Sequence, residues 1–201
     1  MKFKLILLDR DGVINEDSPD YIKSPSEWHP IDGSLHAIGE LCAAGALVGI
    51  CTNQAGIGRG ILTRDALLAI HDTMHSALKT AAPSAELSAV LFCPHHPDDG
   101  CECRKPQPGM LLKAMQALQV SSSQTCFVGD SLTDLQAAQS AGIQPVLVRT
   151  GNGLDTEAAL NSGSPDELLG QSQVIAQAPL IFNDLASAAA ALLSEQVAEP
   201  L

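Results

Sequence analysis

Two aspartates follow the first apolar run of the chain, in the segment Leu8-Asp9-Arg10-Asp11-Gly12. Side chains two residues apart at a strand exit point to the same side, and the glycine permits the sharp turn that follows. Two neighbouring carboxylates repel, so the pair is favourable only with a cation between them or with one shared proton. Taken alone, such a pair is as compatible with a solvated turn as with a catalytic centre.

Three later segments carry groups that could bind phosphate or metal. Thr52 ends a second apolar run and offers a hydroxyl, although a threonine at a strand end is common. Arg104 and Lys105 precede a predicted helix, where two cations are unfavourable unless an anion binds. Asp130 and Asp134 bracket a strand-to-helix turn. Asp130 could ligate a metal, whereas Asp134 could simply occupy the first helical turn.

One loop, residues 93–103, concentrates metal-binding side chains: Cys93, His95, His96, Cys101 and Cys103. Three thiolates and one imidazole form the closed tetrahedral set of a structural zinc site. In a cytosolic chain, such clustering indicates metal binding rather than disulfides. The alternative is a polar loop with free thiols. We predict a structural Zn²⁺ site here.

The elements that must position these residues alternate along the chain. Predicted strands cover residues 3–8, 46–51, 89–92, 125–128, 145–148 and 180–182, and predicted helices cover 33–44, 63–80, 108–118, 132–141, 156–161 and 184–197. This pattern predicts an α/β fold: a single Rossmann-like three-layer domain over residues 1–201 with a mainly parallel central sheet. Ligands bind at the carboxyl ends of such strands. Four of the predicted strands end close to Asp9, Thr52, Cys93 and Asp130.

Composition limits the partners. The 201 residues are 45% hydrophobic and 17% charged, as in a globular domain, and the formal net charge is −12. This charge argues against nucleic acid or an anionic membrane as a partner. The N-terminal apolar run is too short for a leader and is interrupted at Asp9. We expect a cytoplasmic, monomeric protein that acts on a small molecule, with local cations and a metal overcoming the negative background.

Taken together, Asp9-x-Asp11, Thr52, Lys105 and Asp130-x-x-x-Asp134 resemble the haloacid dehalogenase superfamily of phosphohydrolases over about residues 3–148. The resemblance implies that Asp9 is a nucleophile that forms an aspartyl-phosphate. Asp11 is then the general acid and base, and Thr52 and Lys105 bind the transferring phosphoryl group. It also implies Mg²⁺ held by Asp9, the backbone carbonyl of Asp11, and Asp130.

Within that superfamily, a zinc loop beside an Arg-Lys pair, in a chain without room for a cap domain, is similar to the D-glycero-D-manno-heptose 1,7-bisphosphate 7-phosphatase family. Ser131 departs from relatives that carry lysine after the metal-binding aspartate. The resemblance favours His95 over His96 as the zinc ligand and implies an open site walled by residues 15–28 and the zinc loop. It adds Arg104 to the catalytic set and implies substrate contacts from Asp17, Ser18, Asp20, Tyr21, Asn53, Gln54 and Ala55.

Three functions remain open from the sequence. The first is hydrolysis of a sugar bisphosphate at its 7-phosphate. The second is hydrolysis of histidinol phosphate or another small phosphoester. The third is a zinc-stabilised binding domain that has lost turnover, which is disfavoured because every catalytic position is filled.

Other notable residues receive less specific interpretations. His71 and His75 lie four apart on one predicted helix and are interpreted as surface or partly buried residues. Trp28 is expected either to pack in the wall of the site or to stack on substrate. The segment 56–60, Gly-Ile-Gly-Arg-Gly, lacks the ending and spacing of a P-loop. It is predicted to be a flexible turn.

Overall fold

The computed structural model describes residues 2–162 and 177–194. Six strands form one sheet: β1 (Leu5–Leu8), β2 (Leu47–Asn53), β3 (Leu87–Cys93), β4 (Thr125–Gly129), β5 (Gln144–Val148) and β6 (Leu180–Phe182). The helices are α1 (Ser34–Ala43), α2 (Ala55–Gly58), α3 (Arg64–Ala81), α4 (Gly109–Leu118), α5 (Leu132–Ser140), α6 (Gly153–Ser162) and α7 (Leu185–Leu193). Among the described residues, none of these helices has the length and apolar character needed to cross a bilayer.

Both faces of the sheet are covered, as β1 illustrates. Ile6 and Leu8 pack with the apolar faces of α1, α3 and α7, whereas Leu5 and Leu7 pack with α4 and α5 on the opposite face. All four side chains are fully buried. Alternate residues of a strand face opposite sides, so a strand covered on both sides must be apolar throughout. Burial stabilises the fold by about 1.5–3 kcal/mol for each such side chain.

The order of the strands places a crevice at the centre of the sheet. The order is β3-β2-β1-β4-β5-β6, and every pairing is parallel. The chain therefore runs in opposite directions across the sheet on the two sides of the β1–β4 pair, which is where ligands bind in doubly wound folds. Asp9 follows β1 and Asp130 follows β4, and the Asp9 N–H donates to the Val128 carbonyl at 2.8 Å.

Several element boundaries differ from those predicted. β2 extends to Asn53, so that Thr52 lies within the strand. α6 begins at Gly153, three residues before the predicted start. A side chain at Gly153 would collide with the Val148 carbonyl, so this position requires glycine. In the segment predicted to be helical, 184–197, the helix runs from Leu185 to Leu193. Residues 195–197 lie outside the described part. Residues 161–173, whose Ser, Gly and Pro content predicts a surface excursion, also lie mostly outside the described part.

The prediction of a turn over residues 56–60 was wrong in part, because residues 55–58 form the short helix α2. The two helical glycines in this segment are required by close packing. A side chain at Gly58 would collide with the backbone of His95 and His96, and one at Gly56 would press on Tyr21. The glycines that suggested a flexible turn therefore allow α2 to contact the zinc loop and the wall of the site.

Candidate active site

Lys105 is the buried cation around which the site is built. Its Nζ lies 2.8 Å from Asp9 Oδ1 and 2.6 Å from Asp134 Oδ1, and the side chain is 2% exposed. Burial alone would lower the pKa of Lys105, but the charges of Asp134 and Asp9 outweigh it and raise the pKa. Asn53 fixes the backbone here: it accepts from the Lys105 N–H and donates to the Lys105 carbonyl, both at 3.1 Å. The ammonium group is therefore charged and directed at Asp9.

Three carboxylates converge on this lysine. Oxygen atoms of Asp9, Asp130 and Asp134 all lie within 4.8 Å of one another. Burial raises the pKa of Asp9 to about 7, although Lys105 opposes the shift. Burial, followed by the charge of Asp134, raises the pKa of Asp130 to about 6. One ammonium group cannot balance three buried carboxylates, so the cluster favours a further cation. Carboxylate oxygens are the ligands that Mg²⁺ prefers, and the donor set fits this ion.

The loop after β5 fixes the orientation of Asp130. Asn152 donates to Asp130 Oδ2 twice, from its backbone N–H at 2.8 Å and from its side-chain amide at 3.1 Å. The Thr156 hydroxyl donates to the Asp130 carbonyl at 2.9 Å, and the Thr150 hydroxyl donates to the Gly12 carbonyl at 2.6 Å. Gly12 has φ 79°, and a side chain there would collide with the Asp130 carboxylate. These contacts hold one Asp130 oxygen and bring the two aspartate-bearing strand ends together.

The Asp11 carboxylate is held by four donors. Arg10 donates from Nε to Oδ1 at 3.0 Å and from Nη2 to Oδ2 at 2.8 Å. Asn15 donates to Oδ1 and Gln54 donates to Oδ2, each at 2.9 Å. The Gln54 amide also donates to the Thr52 hydroxyl oxygen at 3.0 Å. The Gln54 side chain thereby joins Asp11, the expected acid–base residue, to Thr52.

His71 lies behind Arg10 and is buried, so the interpretation of a surface or partly buried residue was wrong for this histidine. His71 Nε2 is 3.4 Å from Arg10 Nη1, and the ring packs edge-on against Phe92. Burial, and secondly the charge of Arg10, lowers the pKa of His71 to about 4. The ring is therefore neutral at physiological pH. His75 is exposed, as interpreted.

Trp28 is a packing residue. It is buried, and its indole N–H donates to Asn15 Oδ1 at 2.9 Å. It lines neither of the two cavities at this edge of the sheet. Its effect on the site is indirect, because Asn15 in turn donates to Asp11.

The crevice contains a cavity of about 380 Å³ above the aspartates. Its lining includes most of the residues that the sequence assigned to the site: Asp9, Asp11, Asp17, Ser18, Tyr21, Thr52, Asn53, Gln54, Arg104, Lys105 and Asp130. Asp20 and Ala55 are absent from this lining. Tyr21 in the wall has φ 65°, which is uncommon for a bulky residue and occurs where the surrounding structure imposes it.

A second cavity, of about 550 Å³, adjoins the first and shares Arg104, Lys105 and Thr133 with it. Its other wall is formed by the zinc loop, including Gly100 and Glu102. Within the described ranges, Arg104 Nη1 is buried and has no hydrogen-bond partner. A buried guanidinium nitrogen without an acceptor costs free energy. Arg104 thus lines both cavities and carries a donor that the described part of the protein leaves unused.

The predicted zinc ligands converge in space. The Sγ atoms of Cys93, Cys101 and Cys103 lie 3.3–3.6 Å apart, and His95 Nδ1 lies 3.5 Å from Cys93 Sγ and 3.2 Å from Cys103 Sγ. A tetrahedron with metal–sulfur bonds of about 2.3 Å has edges of about 3.8 Å, close to these separations, whereas a disulfide bond is about 2.05 Å long. The donor set fits zinc. His96 instead caps the helical turn Pro97–Asp99.

The zinc loop is joined to the catalytic strands at several points. The Cys93 carbonyl accepts from the Gln54 N–H at 2.8 Å. At the other end of the loop, Gly109 packs so closely on the Glu102 carbonyl that a side chain would collide with it. The loop thus leads from β3 directly to Arg104 and Lys105, which precede α4, so its conformation affects the position of both cations.

Comparisons with known proteins identify the family. Residues 102–172 match the HAD-hydrolase-like family model. The D-glycero-beta-D-manno-heptose-1,7-bisphosphate 7-phosphatase of Pseudomonas aeruginosa is 46% identical, with 96% of this chain and 99% of that protein covered. The crystal structure of D,D-heptose 1,7-bisphosphate phosphatase from Bordetella bronchiseptica, complexed with magnesium and phosphate, is 45% identical. It has a TM-score of 0.84, with 96% of this chain and 99% of that chain covered.

A second solved structure, of D,D-heptose 1,7-bisphosphate phosphatase from Burkholderia thailandensis, is 36% identical with a TM-score of 0.69, and 95% of this chain and 99% of that chain are covered. The chain belongs to the heptose 1,7-bisphosphate phosphatase family. The predicted superfamily, family and fold class are therefore confirmed.

For this member of the heptose bisphosphate phosphatase family, sequence reasoning missed three residues that shape the site. Asp134 was left as a possible first-turn residue of α5, but it is 1% exposed and pairs with Lys105. The inference that the two cations at α4 need a bound anion therefore overlooked a counter-charge supplied by the protein. Asn152 and Arg10 were not assigned any role. Asn152 could have been noticed as a polar residue shortly after β5, and Arg10 as a cation between two aspartates.

Proposed function

We propose that this protein hydrolyses the 7-phosphate of D-glycero-D-manno-heptose 1,7-bisphosphate through an aspartyl-phosphate on Asp9, in the synthesis of ADP-heptose for the lipopolysaccharide core. The observation that carries this proposal is the buried centre in which Lys105 contacts Asp9 beside Asp130. The centre occurs in a chain 46% identical to a relative named for this reaction. Further support comes from the cavity above Asp9, which is lined by cations and by Thr52.

In the first half of the reaction, an Asp9 oxygen attacks the phosphorus of the 7-phosphate. The bond between phosphorus and the C7 oxygen breaks, and Asp11 transfers a proton to that oxygen as it leaves. Lys105 and the Thr52 hydroxyl bind the non-bridging oxygens of the transferring group. Because Lys105 is buried and charged, it offsets the repulsion between the Asp9 carboxylate and the phosphate dianion.

In the second half, the Asp11 carboxylate takes a proton from water. The resulting hydroxide attacks the phosphorus, the acyl-phosphate bond to Asp9 breaks, and inorganic phosphate leaves. Asp11 is protonated again and Asp9 is free for the next cycle. The proton given up in the first half is thereby recovered in the second, so one pair of carboxylates completes a cycle without an external acid or base.

Asp9, the backbone carbonyl of Asp11, and Asp130 would hold Mg²⁺. When bound, this ion supplies positive charge that neutralises the carboxylates and polarises the phosphoryl oxygens. Asp130 is suited to the role because Asn152 occupies only one of its oxygens. Asp134 is less suited, since one oxygen contacts Lys105 and the other accepts from Ser131.

Arg104 is proposed to recognise the substrate beyond the reacting phosphate. An open site cannot enclose a small phosphoester, so specificity needs contacts with the rest of the molecule. Arg104 lines both cavities and carries an unpartnered buried donor. A planar guanidinium suits a second phosphate or sugar hydroxyls. The distal phosphate would then supply binding energy that orients the reacting end.

The remaining substrate contacts are proposed for Asp17, Ser18, Asp20, Tyr21, Asn53, Gln54 and Ala55.

In this proposal, Zn²⁺ bound by Cys93, His95, Cys101 and Cys103 is structural, because four protein ligands leave no open position. We further propose that residues 1–201 form one domain that acts as a cytoplasmic monomer.

A phosphoester panel with Mg²⁺ tests this function. The panel compares heptose 1,7-bisphosphate, heptose 7-phosphate, histidinol phosphate, hexose 6-phosphates and an aryl phosphate at equal ionic strength. The proposal expects the highest kcat/KM for the bisphosphate, with phosphate released from C7 only. A preference for histidinol phosphate would reject the substrate assignment and retain the mechanism. An absence of turnover with every member would reject the enzymatic function.

A further inference from the structure

Arg10 is a buried cation for which the proposed chemistry has no direct use. Its side chain is 1% exposed, and it contacts the Asp11 carboxylate and the His71 ring. Burying a guanidinium is costly unless its charge and donors are matched. We propose that Arg10 and His71 are positioning residues that fix the orientation of Asp11. This inference rests on the proposed function, in which Asp11 is the acid and base.

The geometry of the Arg10–Asp11 contact constrains the carboxylate plane. Two parallel N–H···O bonds from a guanidinium hold both oxygens of a carboxylate, so rotation about the last torsion of the side chain breaks at least one bond. Asn15 and Gln54 then add one donor to each oxygen. A lysine at position 10 keeps the charge but cannot form this bidentate contact.

His71 completes the arrangement from the opposite side of Arg10. The remaining terminal nitrogen of the guanidinium, Nη1, faces His71 Nε2 at 3.4 Å. A neutral ring with its hydrogen on Nδ1 can accept from Nη1. The ring itself packs edge-on against Phe92, and the Arg64 guanidinium lies over the Phe92 ring at 5.3 Å. The close contact of His71 is with Arg10, so we expect His71 to orient Asp11 chiefly through Arg10.

The two halves of the proposed reaction depend differently on this pair. An aryl phosphate with a good leaving group needs little protonation as the phosphorus–oxygen bond breaks, so Asp9 can be phosphorylated even when Asp11 is misaligned. Hydrolysis of the phosphorylated Asp9 always needs Asp11 to take a proton from water. A misplaced Asp11 carboxylate should therefore make the phosphoenzyme accumulate, a result that a general loss of structure would not produce.

Rapid-mixing assays with p-nitrophenyl phosphate and saturating Mg²⁺ test the inference in Arg10→Lys and His71→Leu. Both variants should release about one nitrophenol per active site in a fast burst. Steady turnover should then be about 10- to 100-fold slower than in the parent, at or below the lower end of the roughly 100- to 10,000-fold that a general acid or base contributes, because Asp11 is misaligned and not removed. His71→Gln, which restores an acceptor, should recover most of the rate. His75→Leu, on the exposed face of the same helix, is the matched control and should behave as the parent.

Several outcomes would overturn the inference. Steady turnover equal to that of the parent in both variants would remove any role for the pair. A burst and a steady rate that fall together, or a Mg²⁺ affinity that falls with them, would indicate a structural role instead. The burst amplitude counts folded sites, so a partly unfolded variant remains interpretable. A parent in which rapid acid quench traps no phosphorylated Asp9 would reject the proposed mechanism itself, separately from the role of Arg10 and His71.

Discussion

The Lys105 ammonium group lies 2.6 Å from the Asp134 carboxylate, and both side chains are almost completely buried. The same Nζ lies 2.8 Å from Asp9, so Asp134 holds the cation next to the proposed nucleophile. The contact joins the segment that precedes α4 to the first turn of α5. It therefore depends on the packing of α4 and α5 on the same face of the sheet.

A double-mutant cycle measures the Lys105–Asp134 relationship. Lys105→Met should lower the free energy of unfolding by about 3 kcal/mol, because it leaves the carboxylates of Asp9 and Asp134 without their buried cation. Asp134→Asn should lower it by less, because Lys105 keeps its contact with Asp9. The double variant should be more stable than the sum of the two losses predicts, by at least ~1 kcal/mol. Denaturant unfolding without Mg²⁺ gives these values. Strict additivity would show that the two groups do not interact.

The affinity for Mg²⁺ should depend on pH through Asp9 and Asp130. Without metal, the pKa of Asp9 is raised to about 7 and that of Asp130 to about 6. Both must lose their protons to bind the ion, so acid weakens binding. The apparent Kd should rise about tenfold per pH unit between pH 7 and 6, and about 100-fold per unit below pH 6. Titration calorimetry measures Kd at each pH. Asp130→Asn is the comparison and should lose the steeper dependence of Kd on pH below pH 6. A Kd constant from pH 8 to 5.5 would contradict this assignment.

The fold could be predicted because its signals are local. The β1 segment is apolar throughout since both of its faces are buried, and helical periodicity marks α3 and α4 within one or two residues. The zinc set could be predicted because its ligands lie within one loop, and the structure brings them together. Helical segments that contain glycine were predicted less well, because glycine is typical of turns. Examples are α2 and the first residues of α6.

The contacts that support the site could not be predicted, because they join distant segments. Asn152 reaches Asp130 only when β4 and β5 pair, and His71 reaches Arg10 only when α3 packs across β1. Neither residue belongs to a short motif, and neither type is unusual at its position. Their roles depend on distances and burial that periodicity and composition do not encode.

Arg104 should discriminate between substrates. Arg104→Ala should lower kcat/KM for the heptose bisphosphate more than for an aryl phosphate, because only the former has a second anionic group to bind. The difference should be about 1–3 kcal/mol, as for a hydrogen bond to a charged group. Lys113→Ala removes an exposed cation from α4, the helix that follows Arg104, and should change kcat/KM for both substrates alike. Equal losses in Arg104→Ala would indicate a general or structural role.

Removal of zinc should disturb the cations through the loop. Metal analysis should find about one zinc per chain in the parent and none in Cys101→Ser/Cys103→Ser. The zinc-free variant should melt at a lower temperature and show a raised KM for the bisphosphate, since Arg104 and Lys105 directly follow the loop. Cys42→Ser changes a cysteine outside the cluster and should retain zinc and activity. Zinc-free protein with unchanged stability and KM would contradict a structural site.

The most direct measurement of the central claim is to trap the intermediate on Asp9. Parent protein is mixed with heptose 1,7-bisphosphate and Mg²⁺, quenched in acid within the first turnover, digested, and analysed by peptide mass. The account predicts one phosphoryl group on the peptide that contains Asp9, appearing before free phosphate and decaying as phosphate forms. Asp9→Asn should remain folded, carry no phosphoryl group and lack turnover. Turnover by the parent with no phosphoryl group on Asp9 at any time, or substantial turnover by Asp9→Asn, would contradict the account.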